Sequence, residues 1–286
     1  MIESMKNPLQ ECSDRFFHAT VVTRVVYALL AAHCFSSLRD WPVWFAENGI
    51  SFQPVWPVFW LSAEQAALLW VVATLCGLGA SLLAAGRAES RPVRIVAAVL
   101  LFLHFAIEDS RDSIRHLEHG LLWVSLILTC LPDISRSGEN VRRTRLSYLR
   151  VFGTAQFMFL LFYSMAGAVK VLTSVAQGMR GDRTILHPDS GALVIAEWLL
   201  RGDAPSLLGH WFVQHRFVSW VGLLGGVVLE LLAITPLFWR RLQPLIAFGL
   251  IGMHVAIGLT MDVWFPENVA LLAVLILAGP PLAVRR

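Results

Sequence analysis

Charge is scarce in this 286-residue chain: 15% of its residues are Asp, Glu, Lys or Arg, against 56% that are hydrophobic. A water-soluble fold of this length does not need so little charge or so many long apolar runs, so the composition points away from that class. There are only four cysteines, Cys12, Cys34, Cys76 and Cys130, spaced without any CxxC or Cys/His pattern. That excludes a disulfide framework and disfavours thiol–disulfide exchange. A P-loop, a GxSxG elbow and a dinucleotide fingerprint between strand and helix are all missing, which leaves nucleotide chemistry and soluble-type hydrolysis unsupported. No block of basic residues is interleaved with aromatics, so nucleic acid is not an expected partner. The first fifteen residues carry charges of both signs and no leader-like apolar stretch, so the first apolar segment is expected to be a retained helix. Neither an internal repeat nor a low-complexity linker interrupts the chain, which reads as one domain over 1–286.

What is present is a series of apolar runs punctuated by charge, proline and glycine. About 20 residues at about 1.5 Å each are needed to cross a hydrocarbon core of about 30 Å. Eight runs fit or approach that length, near 17–38, 65–85, 92–107, 118–133, 151–173, 217–239, 243–261 and 267–283. The expected fold is therefore all-α, a polytopic membrane bundle of about eight transmembrane helices. Fourteen of the Lys and Arg residues fall on one set of alternate connections and seven on the other. By the positive-inside rule both termini are expected to be cytoplasmic. In the outer segment 174–216, SGALVIAEWLLRG has apolar residues at helical spacing and predicts an amphipathic surface helix.

Ionisable residues inside such spans are expensive and mark functional sites by default. Lys170 lies near the far end of the 151–173 run with no acidic residue within a helical turn, and snorkelling of its stem to the interface is the bland alternative. On the expected topology His33, His104, His119, Glu230 and His254 fall where they can line one polar cavity with it. A buried lysine without a counter-charge is a usable base, so Lys170 is the candidate proton acceptor. His104 and Glu108 are four apart and His116 and His119 three apart, so each pair can share a helix face. A charged turn produces such spacings without a closed ligand set, and no metal is expected.

LFYSMAGAVKVL (161–172) resembles the Tyr-Phe-x-Ala-Gly-x-Lys-Lys-Leu segment of vitamin K-dependent gamma-glutamyl carboxylases, within the wider horizontally transferred transmembrane (HTTM) group. RHLEHGLLW (115–123) is similar to that family's Asn-Asn-His-Ser-Tyr-Leu-Tyr segment, with His119 on its histidine. MHVAIGLTMDVWFPENVALL (253–272) is similar to its Met-His segment, with His254 matching. Arg24, the apolar span around it and ENGI at 47–50 resemble the start of HTTM proteins. These matches occur in the family's order over nearly the whole chain.

The resemblance implies that Lys170 holds the place of the lysine that deprotonates reduced vitamin K, on the non-cytoplasmic face. In that family oxygenation follows, and the quinone leaves as an epoxide while a peptide glutamate is carboxylated. It thus implies a reduced quinone, O2 and CO2 as co-reactants, and His119 and His254 as catalytic partners of Lys170. Tyr163, His104, Glu230 and His33 are the candidate substrate-binding residues. Val169 stands where the family has a second lysine, which points to a shared quinol-handling core with different downstream chemistry.

The expected function is a carboxylase-like membrane enzyme of a bacterial inner membrane, acting on a lipidic quinone at the outer face and modifying a small peptide or protein. The rival reading is a non-catalytic partner in maturation or export of a small secreted peptide, with 174–216 as its docking surface. A transporter is less consistent, because no span is broken at mid-depth and no matching halves occur.

Overall fold

The computed structural model describes residues 8–40, 52–110, 119–133, 141–201 and 206–282. Among these, all regular structure is helical. In chain order the α-helices are α1 (Pro8–Ser37), α2 (Ala63–Gly86), α3 (Arg91–Glu108), α4 (His119–Leu128) and α5 (Val141–Met179). They continue as α6 (Ser190–Arg201), α7 (Gly209–Gln214), α8 (Arg216–Leu232), α9 (Gln243–Met261) and α10 (Pro266–Leu271). A π-helical turn, Leu272–Leu277, extends α10.

Each of the eight apolar runs overlaps a helix, though 118–133, 217–239 and 267–283 are helical over only part of their length. Five stretches are long and apolar enough to cross a membrane: Gln10–Ser37, Ala63–Gly86, Val141–Met179, Arg216–Leu237 and Arg240–Met261. His119–Leu128 and Pro266–Leu277 are apolar but shorter. The amphipathic helix expected in SGALVIAEWLLRG is α6. ENGI (47–50), residues 115–118 including His116, and Lys6, Arg111, Arg136, Asp203, Arg285 and Arg286 lie outside the described residues.

The chain divides into two compact units, residues 1–156 with 278–280, and residues 157–277 with 281–286. The boundary falls inside α5.

In the first unit α2 is inverted relative to a helix of a water-soluble protein. Its buried face is mostly small, with Ala66, Ala67, Ala73, Gly77, Ala80, Ser81 and Ala84 around Trp70. Leu68, Val72, Leu75, Leu82 and Leu83 point outward and are exposed. Small residues inside let helix backbones approach, and large apolar ones outside suit a hydrocarbon solvent. Ser62 starts the helix with a capping box, taking the Gln65 amide and returning its own N–H to the Gln65 side chain.

Arg94, near the start of the 92–107 run, is fully buried in α3. Its guanidinium donates to the carbonyls of Leu128, at 3.0 Å, Leu131 and Ala88. Two of these close the C-terminal end of α4, where unsatisfied carbonyls carry partial negative charge. In the second unit Gln243, at the start of α9, plays a similar part for the π-turn. Its amide donates to Ile276 at 2.6 Å and its carbonyl oxygen accepts from the Leu282 N–H at 3.1 Å.

Candidate functional site

The expected site residues fall into two groups, one in each unit. Tyr163, Lys170, Glu230 and His254 belong to the second, and His33, His104 and His119 to the first.

The second-unit group is built on one face of α5. Tyr163, Gly167 and Lys170 are spaced i, i+4, i+7, so their side chains stack along one stripe. Gly167 is what lets α8 come close. A Cβ there would sit 2.9 Å from the Leu231 nitrogen and 3.0 Å from Glu230 Cβ. Ser164 fastens the same contact: its hydroxyl donates to the Leu231 carbonyl at 3.2 Å and accepts the Ile234 N–H at 3.0 Å.

With the helices so placed, Lys170 Nζ lies 2.5 Å and 2.7 Å from the two carboxylate oxygens of Glu230. The expectation of a lysine kept reactive by the absence of an anion is therefore corrected. Its partner is 60 residues away in sequence and one helix away in space. α5 runs on to Met179, so Lys170 is more than two turns, about 13 Å, from the helix end. Glu230 falls in the last turn of α8. That end of a helix favours a cation beside it. The two partners differ in exposure: the Lys170 side chain is 50% exposed and the Glu230 side chain 7%.

One helix further, Tyr163 Oη and His254 Nε2 are 2.7 Å apart, with both residues buried. Tyr163 and Lys170 share one stripe of α5, so the two pairs are anchored along the same face of that helix. Among the described residues His254 Nδ1 has no hydrogen-bond partner although it is buried. Phe265 packs against the imidazole at 4.8 Å between ring centroids. The arrangement holds an ion pair and a phenol–imidazole pair side by side, both able to give and take protons.

In the first unit His104 is completely buried on α3. Its Nδ1 is 2.8 Å from Thr74 Oγ1, and that hydroxyl donates to the Trp70 carbonyl at 2.6 Å. Trp70 stacks on the imidazole at 5.6 Å and donates its indole N–H to Glu108 at 3.2 Å. Glu108 Oε1 is 3.4 Å from His104 Nε2, and the His33 ring meets that of His104 edge-on at 5.7 Å. His119, at the start of α4, pairs with Asp109 at 3.1 Å.

Sequence reasoning passed over Gly167, Ser164, Thr74 and Trp70. Gly167 was legible, since it shares a helical face with Tyr163 and Lys170. The other three act through partners on different helices.

Comparison of the chain with protein-family models, curated protein sequences and solved structures returns no match.

Proposed function

We propose that this chain is a membrane-embedded enzyme of the vitamin K-dependent carboxylase-like, HTTM type. It has eight spans with both termini in the cytoplasm of a bacterium, and it acts on a reduced quinone or related lipidic substrate at a site open to the outer face. The observation that carries the reading is the cluster Tyr163–His254 and Lys170–Glu230, assembled from three segments that are each long and apolar enough to span a membrane. Ionisable groups in such segments cost enough on insertion to imply a task.

The residues fit a hydroxyl-bearing lipid. His254 Nδ1 is a buried polar atom with capacity to bond an oxygen, and Val169 and Leu172, exposed beside Lys170 on α5, suit a hydrocarbon tail. A reduced quinone would supply an acidic hydroxyl and, with O2, oxidising power for a second substrate such as a small peptide.

Lys170 and Glu230 start as an ion pair. Passing one proton from Nζ to Glu230 Oε1 leaves a neutral amine beside a neutral acid, a state that a low-dielectric setting disfavours far less than water does. The amine then takes the substrate hydroxyl's proton and returns to the ammonium form. Tyr163 holds the His254 ring so that Nδ1 faces outward from their shared bond and can position the oxygen that loses its proton.

Oxygen uptake by the purified protein with a short-chain naphthohydroquinone tests the proposal. Lys170→Ala is expected to lower uptake at least about 100-fold, the lower end of the range for one acid–base group. Uptake absent in the wild type, or equal in both proteins, rejects it. The second reading is a docking partner for a secreted peptide. It is favoured by α6, which exposes Leu193, Trp198 and Leu200. It requires that changes on α6 abolish function while Lys170 is replaceable.

A further inference from the structure

The first unit holds a group of side chains that the proton chemistry above does not use. One ligand atom each from His33, His104 and Glu108 lies within 4.8 Å of the others. His104 and Glu108 stand one turn apart on α3, and His33 reaches them from α1.

The hydrogen-bond network fixes what His104 offers. The Thr74 hydroxyl spends its single proton on the Trp70 carbonyl, so towards His104 it can only accept. Nδ1 therefore carries the ring proton, and Nε2 presents a bare lone pair. That atom is buried and makes no hydrogen bond among the described residues. Its near neighbour is a Glu108 oxygen at 3.4 Å, also rich in electron density. Two electron-rich atoms thus face each other at 3.4 Å.

Something cationic belongs there. A shared proton satisfies two atoms; three converging ligands suit an ion. Two ligands each about 2.1 Å from a tetrahedral ion stand about 3.4 Å apart, which is the His104–Glu108 separation. The surroundings have the form that metal sites use to orient their ligands. An Nδ1–H is tied to an oxygen, and a carboxylate is held by the Trp70 indole N–H.

We propose that His33, His104 and Glu108 bind a divalent first-row transition ion, with zinc and iron(II) as the species suited to two imidazoles and a carboxylate. Three protein ligands leave a position for water or substrate, the pattern of a catalytic ion. Glu108 is the most exposed of the three and marks the side from which the ion enters. The site replaces the sequence-based expectation of no metal. His33, the ligand that completes it, comes from a different helix.

The test uses full-length protein purified in detergent with a tag free of histidine, stripped with a chelator and titrated with Co2+ alone. One equivalent per chain is expected, with visible absorption bands of a low-symmetry cobalt site. His104→Ala and His33→Ala should abolish the bands, and Glu108→Gln should weaken binding. Thr74→Val keeps the shape of the side chain but removes the oxygen that fixes the tautomer, and should weaken binding about 10- to 100-fold. Size-exclusion profiles monitor folding; where an alanine variant does not fold, Glu108→Gln and Thr74→Val decide. Substoichiometric Co2+ in the wild type, or the same spectrum and affinity in these variants, overturns the proposal.

Discussion

Gly167 on α5 faces the backbone of Leu231 on α8 so closely that an added methyl would lie 2.9 Å from the Leu231 nitrogen. One turn further along the same stripe, Lys170 meets Glu230 at 2.5 Å. The absence of one side chain thus allows the charge pair to form. Gly167→Ala should push the helices apart, lower thermal stability by about 1–3 kcal/mol as overpacking does, and reduce hydroquinone oxidation even though no ionisable group is altered. A melting curve and an oxygen-uptake trace on one preparation check both.

Removing either charge leaves the other unpaired, but not at equal cost. Glu230 is the more enclosed partner, so Lys170→Met should destabilise more than Glu230→Gln, by about 1–3 kcal/mol for a stranded buried group. The double variant Lys170→Met/Glu230→Leu should recover much of the lost stability while remaining inactive. Denaturation in detergent, run on the wild type and these three variants, measures this.

Tyr163→Phe removes the hydroxyl from His254 Nε2 and leaves a buried ring nitrogen without its partner. The expected loss is about 1–3 kcal/mol of stability, together with a lower turnover that Tyr163→Phe/His254→Phe does not restore. Steady-state oxygen uptake and thermal melts separate the two effects.

Arg94→Met leaves the carbonyls of Ala88, Leu128 and Leu131 without their donor. A loss of about 3 kcal/mol or more is expected. Arg94→Lys should rescue only part of it, since a single ammonium lacks the flat fork that spans three carbonyls. Yield of monodisperse protein and melting temperature are the readouts.

The helices were legible because hydropathy and punctuation are local properties. The run 65–85 became Ala63–Gly86, and 243–261 became Gln243–Met261. α5 outran its expected limits at both ends, because helix propensity continues past the point where hydropathy falls. The candidate site was readable only as a set of residue types at plausible depths. That Glu230 pairs with Lys170 depends on the rotation and approach of two helices, which is set by a glycine and a serine between them. The His104–Glu108 spacing was visible, yet a two-residue helix face looks the same whether or not a third ligand arrives from α1. His119 was grouped with Lys170 by expected depth, whereas its bonded neighbour is Asp109, ten residues back.

The outward leucines and inward alanines of α2 mean that the medium around the protein acts as an outer layer of its packing. Short-chain amphiphiles that cover those leucines poorly should loosen the bundle well before they disturb any of its internal hydrogen bonds. Measurements of ion uptake or turnover made in different micelles or bilayers will then differ for reasons unrelated to the reacting groups. Lipid identity is therefore an experimental variable on the same footing as a point substitution.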